Sequence, residues 1–411
     1  MKMIKGYTFR LAPTPAQAAL IEQFAGVCRL VYNLALEQRS VHAWQVRRAT
    51  GFNPSYFQQC GELTLLRAEF DFIRATPQEA QQRALKDLDR AFSAFFAGGA
   101  DYPTYRRRGV DETFRIPGRA VKVEKINRRW SRVRLPKIGW VRYRDSYGGP
   151  ETMLAGGGVF TEITISLRQG SWNVSIGVKR DVEAPEHPAR AGVGIDRGVA
   201  VPLALSDGQM IYLPKRLKRL ERQKRRAERT LSRRKKGSNR RAAAKMRLSN
   251  ISARIARIRK DWAHKVTTSI VREYSYVAVE ALQTKSMTRS AKGTAEKPGV
   301  NVAAKAGLNR EILNVGWYQI EQMLAYKLEW AGGQLEKVPA AYTSQTCSAC
   351  GTIDKGSRES QARFSCRHCG HEINADLNAA RNIIMRASSP YLGVEACGCA
   401  ACEASTSQRA A

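Results

Sequence analysis

The sequence contains no apolar run approaching the ~18 residues that a bilayer-spanning helix needs. Its opening, MKMIKGYTFRLAPTP, alternates polar and apolar residues and lacks the apolar core of a signal peptide. These two absences point away from membrane and secretion, toward a cytoplasmic protein with no membrane partner. Acids are also scarce: 36 Asp+Glu stand against 69 Lys+Arg, a net charge of +33. Self-repulsion on that scale calls for a polyanionic partner, and nucleic acid is the expectation, with action at the nucleoid. No internal repeat is apparent. At 411 residues the chain exceeds one compact core, so two or three domains are expected.

Texture divides the chain. Tyr7, Phe9 and Leu11 alternate with polar residues, the pattern of a first strand. Thr14–Pro15 reads as an N-cap followed by proline at the first helical position. Helical spacing then runs from Leu20 through Leu34, and TPQEAQQRALKDLDRAFSAFF closes the helical region before Gly98–Gly99. From Tyr102 to Val182 short β-rich runs follow, separated by Gly148–Gly149–Pro150 and Gly156–Gly157–Gly158. With the early strand they read as a small β-barrel into which the helices are inserted. Arg128, Arg129, Trp130, Arg132, Trp140 and Tyr143 interleave charge with rings; they serve either to stack bases or as barrel core and solvated face. VEAPEHPAR is a linker by its prolines.

Beyond it, GVGIDRGVAVPLALSDGQMIYLP reads as three antiparallel strands, Val193–Arg197, Ala200–Ser206 and Gln209–Leu213, with a hairpin at Asp207–Gly208. Between Lys215 and Lys265, 22 Lys/Arg meet three acids, a net of +19. Leu217, Leu220, Ile251, Ile255, Ile258, Trp262, Val266 and Ile270 keep a helical stripe through that stretch, giving two long helices broken at Gly237–Ser238. Such unneutralised density, with Arg233, Arg234, Lys235 and Lys236 in its middle, points to phosphate contact. YSYVAVEAL is a buried-strand pattern, 288–307 is low in complexity, and a helix is expected from Asn309 to Trp330.

Nine cysteines without a signal peptide favour metal ligation over disulfides. Cys347-x2-Cys350-x15-Cys366-x2-Cys369 is the spacing of two knuckles around one tetrahedral Zn²⁺. Four protein ligands leave no open position, so the ion would be structural. Cys397, Cys399 and Cys402 sit in a Gly/Ala/Ser-rich tail with no obvious fourth ligand, and 389–411 reads as disordered.

Three acids stand out by position. Asp196 ends the apolar strand Val193–Gly194–Ile195, Glu280 ends another, and Asp376 opens a helical run seven residues after Cys369. A buried carboxylate is costly unless paired. Singly, each acid reads as a cap, an ion-pair partner or a surface group. Together at one sheet edge they fit a site for two Mg²⁺, one activating water and one stabilising the leaving oxygen of a phosphodiester.

GIDRGV, VAVEAL and TSQTCSACG…RFSCRHCG…NADLNAARNI, with LSRRKKGSNRR, DWAHKVTTSIVREY and FRLAPTPAQ…CRLVYNLAL, resemble the TnpB family, transposon-encoded relatives of the type V CRISPR nucleases. The resemblance covers most of residues 5–386. It implies a multidomain α+β and α/β chain: a β-barrel with a helical insertion, then an RNase H-like (RuvC) domain interrupted by a zinc ribbon. The boundaries it implies are 1–14 and 99–183 for an oligonucleotide-binding barrel and 15–98 for a helical recognition insert. The nuclease domain takes 190–345 and 371–388, and the ribbon 346–370. It further implies a Mg²⁺-dependent endonuclease that uses a guide RNA from the element's end to cut double-stranded DNA beside a short motif. Asp196 would bridge two ions, Glu280 hold one and Asp376 complete the other. Gln81, Gln82 and Lys86 are the expected readers of the motif.

Three rival functions follow the same residues: a type V CRISPR effector with an array-derived guide, a nuclease-inactive repressor, and a transposase. Degenerate acids would mark the repressor, and all three are present. A separate recombination site would mark the transposase, and no convincing one is apparent.

Overall fold

The computed structural model describes residues 2–387, apart from 41–44, 46–47, 50, 52–53, 169, 184, 295 and 361. The tail cysteines Cys397, Cys399 and Cys402, and the tail 389–411 read as disordered, therefore lie outside the described residues. The chain forms two compact units, Met1–Glu183 and Ala184–Ala411.

In the first unit, strand β1 (Lys2–Ala12) buries Tyr7, Phe9 and Leu11, as its alternation requires. Six more strands join it: β2 (Thr113–Pro117), β3 (Lys122–Lys125), β4 (Trp130–Leu135), β5 (Gly139–Arg144), β6 (Val159–Arg168) and β7 (Ser171–Asp181). Their order is β2-β6-β7-β1-β5-β4-β3, antiparallel throughout. β1 runs beside β7 from Lys2 to Arg10 and then crosses to β5 at Leu11 and Ala12, so one strand joins two ladders. Helices α1 (Pro15–Arg39), α2 (Tyr56–Glu69) and α3 (Gln78–Phe96) lie between β1 and β2 in the chain. Thr14 and Gln17 close a capping box with Pro15 at the helix start.

The 25-residue α1 is long and apolar enough to cross a membrane by length and composition, contrary to the sequence reading. Its Ile21, Phe24, Cys28, Val31 and Leu36 are instead buried in the unit's core with Phe114 and Leu88. The apolar content is spent on packing, each such side chain contributing about 1.5–3 kcal/mol.

The second unit holds a five-stranded sheet, order β10-β9-β8-β11-β12. The strands are β8 (Gly192–Asp196), β9 (Leu203–Leu205), β10 (Met210–Ile211), β11 (Tyr276–Glu280) and β12 (Gln334–Val338). β8, β11 and β12 are parallel, and β9 and β10 run antiparallel to their neighbours. The hairpin at Asp207–Gly208 forms as its sequence requires, with Gly208 at φ 100°.

Period two sorts the two central strands. Val193, Ile195, Val277 and Val279 point to one face, into a core with Trp262, Ile270, Trp317, Ile320 and Leu324. Gly194, Tyr276 and Ala278 point to the other, where Ile383 and Ile384 of α8 (Ala375–Met385) close a second core. The first face is covered by α5 (Asn239–Glu273) and α7 (Trp317–Ala331).

Helix α4 (Arg216–Ser232) precedes α5, and the break falls at Gly237 (φ 84°) with Ser238 capping α5. Leu217, Leu220 and Ile255 form the buried seam between them. The single helix expected over 309–330 is two, α6 (Val302–Val315) and α7, because Gly316 takes a left-handed conformation (φ 77°) that stops one and starts the other. α6 begins inside the stretch that reads as low in complexity. Lys305 Nζ donates to the Met287 carbonyl (2.8 Å) and Asn309 Nδ2 to those of Thr288 (2.9 Å) and Arg289 (3.0 Å), which pins that stretch.

Candidate active site and metal centre

Asp196 and Glu280 are the last residues of β8 and β11, and the register that sets Ile195 beside Val279 brings both to one sheet edge. Alternation gives both carboxylates the face that α8 covers. The helix can come that close because residue 194 has no side chain: a Cβ there would lie 2.2 Å from the Ala380 carbonyl oxygen and 2.8 Å from the Ile384 nitrogen. Asp376 sits in the first turn of α8, where capping is the ordinary role of an acid. Here Asn374 is the cap, its Oδ1 accepting from the amides of Asp376 (3.0 Å) and Leu377 (3.2 Å). The Asp376 carboxylate is thereby released from capping.

The three acids line one cavity of about 550 Å³, with Arg358, Thr343 and Leu308. Burial, then the charges of Glu280 and Asp376, push the Asp196 carboxyl up to about 7, and Arg358 opposes the rise only in part. Burial likewise raises Asp376, against the pull of Arg358 at 3.7 Å. The donor set is three hard oxygen ligands with excess negative charge, which fits divalent cations such as Mg²⁺. Thr343 Oγ1 donates to Glu280 Oε1 and fixes that side chain.

Sequence reasoning missed the groups that brace these acids. Arg197 is buried on the face opposite Asp196; its Nη1 donates to Glu321 Oε2 at 2.8 Å and its Nη2 to the main-chain oxygen of Glu280. Lys337 Nζ meets the other oxygen of Glu321 at 2.5 Å. Burial pushes the Glu321 carboxyl up, but bonds and charge from Lys337 and Arg197 outweigh it and hold the group below its ordinary range. Asn378 and Asn382, both buried, donate to the Thr346 carbonyl at 2.7 Å each, and Asn382 also to that of Thr343 at 2.9 Å. The spacing of Asn374, Asn378 and Asn382, one helical turn apart on α8, is the signal that could have found them.

Cys347, Cys350, Cys366 and Cys369 bring their sulfurs within 4.8 Å of one another, so the group can hold a metal ion. Each knuckle uses the same turn: the Gly351 amide donates to Cys347 and the Gly370 amide to Cys366, both at 2.9 Å, with both glycines at positive φ. The hairpin β13 (Arg363–Ser365) and β14 (Glu372–Asn374) carries the second knuckle and leads directly into α8. One short module therefore presents both Arg358 and Asp376 to the acid cavity.

Arg233, Arg234, Lys235 and Lys236 lie exposed at the turn between α4 and α5. The expected motif readers fare differently. Gln81 is fully buried, its Nε2 donating to the Ile73 carbonyl (2.8 Å) and its Oε1 accepting from Arg67 (2.5 Å), so it belongs to the core. Gln82 is half-buried, and Lys86 pairs with Asp89 at 2.9 Å and lies over the Tyr56 ring. Tyr143 is core, with no exposed face for a base, whereas Arg132 lies 4.6 Å over Trp140.

Three family profiles match the chain. "Probable transposase" covers residues 175–291, "Cas12f1-like, TNB domain" covers 317–383, and "Helix-turn-helix domain" covers 1–45. In the last span the described residues form β1 and α1. A putative RNA-guided DNA endonuclease InsQ of Escherichia coli (strain K12) is 38% identical over 386 residues, 93% of this chain and 92% of that protein. The chain belongs to the TnpB family. A second relative, a putative RNA-guided DNA endonuclease of Streptomyces pristinaespiralis, is 31% identical over 417 residues, 97% of this chain and 92% of its own. The fold is also that of a chain in the Cas12f1–sgRNA–target DNA complex, at TM-score 0.55 and 13% identity over 93% of this chain and 98% of that one.

Proposed function

We propose that this TnpB protein is an RNA-guided DNA endonuclease that cuts double-stranded DNA beside a short motif by two-metal hydrolysis. The observation that carries the reading is the meeting of Asp196, Glu280 and Asp376 on one cavity, where burial first and then the charges of the other two lift the Asp196 carboxyl. In this reading Asp196, Glu280 and Asp376 would together hold the Mg²⁺. Bound Mg²⁺ supplies an activated water and stabilises the leaving oxygen. The chain's own residues do the rest: Thr343 orients Glu280, and Arg358 limits repulsion at Asp376 and offers a guanidinium to a phosphate.

The five-stranded order, in which β9 alone runs against the other four strands, supports an RNase H-like core. The four thiolates suit one structural Zn²⁺, which would fix the loop bearing Arg358 and the start of α8. The first unit, 1–14 and 99–183 around a helical insert at 15–98, is read as an oligonucleotide-binding barrel. The basic pair α4–α5, with Arg233 to Lys236 at its turn, holds the guide RNA by its phosphates. Sequence specificity then comes from base pairing rather than from protein side chains.

The test is to sequence the RNA that copurifies after expression with the native flanking DNA. One discrete species ending in a segment from the element's border supports the reading. Heterogeneous cellular RNA alone contradicts it.

A further inference from the structure

A second cavity of the C-terminal unit, about 540 Å³, shares a wall with the acid cavity. The wall is α6: Leu308 lines the acid cavity, while Asn309 and Arg310 line the second. Four cations meet there from four segments: Lys224 of α4, Arg259 of α5, Lys292 of the 288–301 stretch and Arg310 of α6. Hydroxyls of Thr288 and Ser290 join them, and no carboxylate of a described residue lines the space.

The cations are set in place. Arg259 Nη1 donates to Asn314 Oδ1 at 2.9 Å and to the carbonyls of Leu313 and Asn314 at 3.4 Å each. Lys292 is held by its own backbone, its carbonyl accepting from the Gly299 amide at 2.9 Å in a loop closed by the Gly293–Pro298 bridge. The contacts of Lys305 and Asn309 described above tie this loop to α6. Glu221 lies near Arg259 and Glu228 is 3.7 Å from Lys224, so part of the charge is offset outside the cavity. Lys292 and Arg310 are exposed, and neither is in an ion pair with a described residue. Lys292 and Arg310 therefore add unpaired positive charge beside Lys224 and Arg259, which an anion in the cavity would relieve.

We propose that this pocket holds backbone phosphates of the DNA strand whose scissile bond lies in the acid cavity; the inference rests on the nuclease reading above. The dividing wall is one helix, about 10 Å across, or about three nucleotide steps at ~3.4 Å each. A strand seated on the acids therefore reaches the pocket a few nucleotides from the cut. Its role is to fix the register of the strand at the acids, not to read bases.

The experiment combines a charge reversal with single-phosphate neutralisation. Lys292→Glu/Arg310→Glu, loaded with its guide RNA, is compared with wild type on targets carrying one methylphosphonate at successive positions from the cut. At a position two to five nucleotides away, the methylphosphonate is expected to slow wild type about tenfold. The double variant should be about tenfold slower on unmodified target and not slowed further by that substitution.

Effects that multiply at every position, or a variant as fast as wild type, overturn the assignment while leaving the nuclease reading intact. So does loss of the copurifying RNA by a folded variant, which would give the pocket to the guide. If the double reversal does not fold, Lys292→Gln/Arg310→Gln carries the same comparison. Wild type that cuts no guided target overturns the nuclease reading, and this assignment with it.

Discussion

Arg197 and Glu321 form a buried ion pair at 2.8 Å directly beneath the acid edge, and the same guanidinium also holds the main-chain oxygen of Glu280. One side chain therefore joins β8, which carries Asp196, to β11, which carries Glu280, where their ladder ends. Its charge is answered by α7 rather than by the site. Removing one partner of such a pair costs most, about 3–5 kcal/mol, when the other charge is left buried and uncompensated. Glu321→Gln leaves the Arg197 guanidinium buried without an anion and should lose stability in that range. Arg197→Met leaves Glu321 still paired with Lys337 and should lose less; urea denaturation of both variants measures the order.

Gly194 is a point of close approach between α8 and the sheet. Gly194→Ala would place a methyl 2.2 Å from the Ala380 oxygen, so α8 has to move. The expected outcome is a cleavage rate at least tenfold lower with target binding retained, since Asp376 travels with the helix. Equal rates for variant and wild type would show that the acid does not depend on this contact.

Repulsion among the three carboxylates makes the site a source of instability without metal. Asp196→Asn removes the charge that is hardest to bury. Metal-free, the variant should melt a few degrees above wild type, on the scale of about 2–4 °C per kcal/mol for a unit of this size. Millimolar Mg²⁺ should raise the melting temperature of wild type but not of the variant. Differential scanning calorimetry with and without Mg²⁺ decides it.

The cysteine module should bind one ion per chain. Cys350→Ser should lower both the zinc content, read by mass spectrometry, and the soluble yield. Chelation of wild type should slow cleavage even with Mg²⁺ restored, because Arg358 and Asp376 both enter the cavity from this module.

Much of this arrangement is legible in the sequence because the local rules are short-ranged. A carboxylate closing an apolar strand, proline after threonine at a helix start, and glycine after each CxxC are all signals that a few residues carry alone. What escapes is set by partners distant in sequence. Glu321 gives no sign that it answers Arg197, and Gly194 reads as an ordinary strand glycine until α8 packs on it. Gln81 looks like a surface amide until Arg67 and the Ile73 carbonyl occupy it. The low-complexity stretch at 288–307 has weak periodicity, so its order depends on Lys305 and Asn309, whose bonds to distant carbonyls no pattern announces. Gly316 fits either a continuous or a broken helix by composition, and only its left-handed backbone separates α6 from α7.

On the proposed function, Asp196, Glu280 and Asp376 form one cutting site directed by RNA. The most direct measurement is cleavage of a plasmid carrying the guide-matched sequence beside the required short motif, with Mg²⁺, by wild type and by Asp196→Ala loaded with the same RNA. Wild type should linearise the matched plasmid and spare a mismatched one, while Asp196→Ala binds the target about as tightly and cuts neither strand. Cleavage by Asp196→Ala at the wild-type rate would show that these acids are not the cutting site.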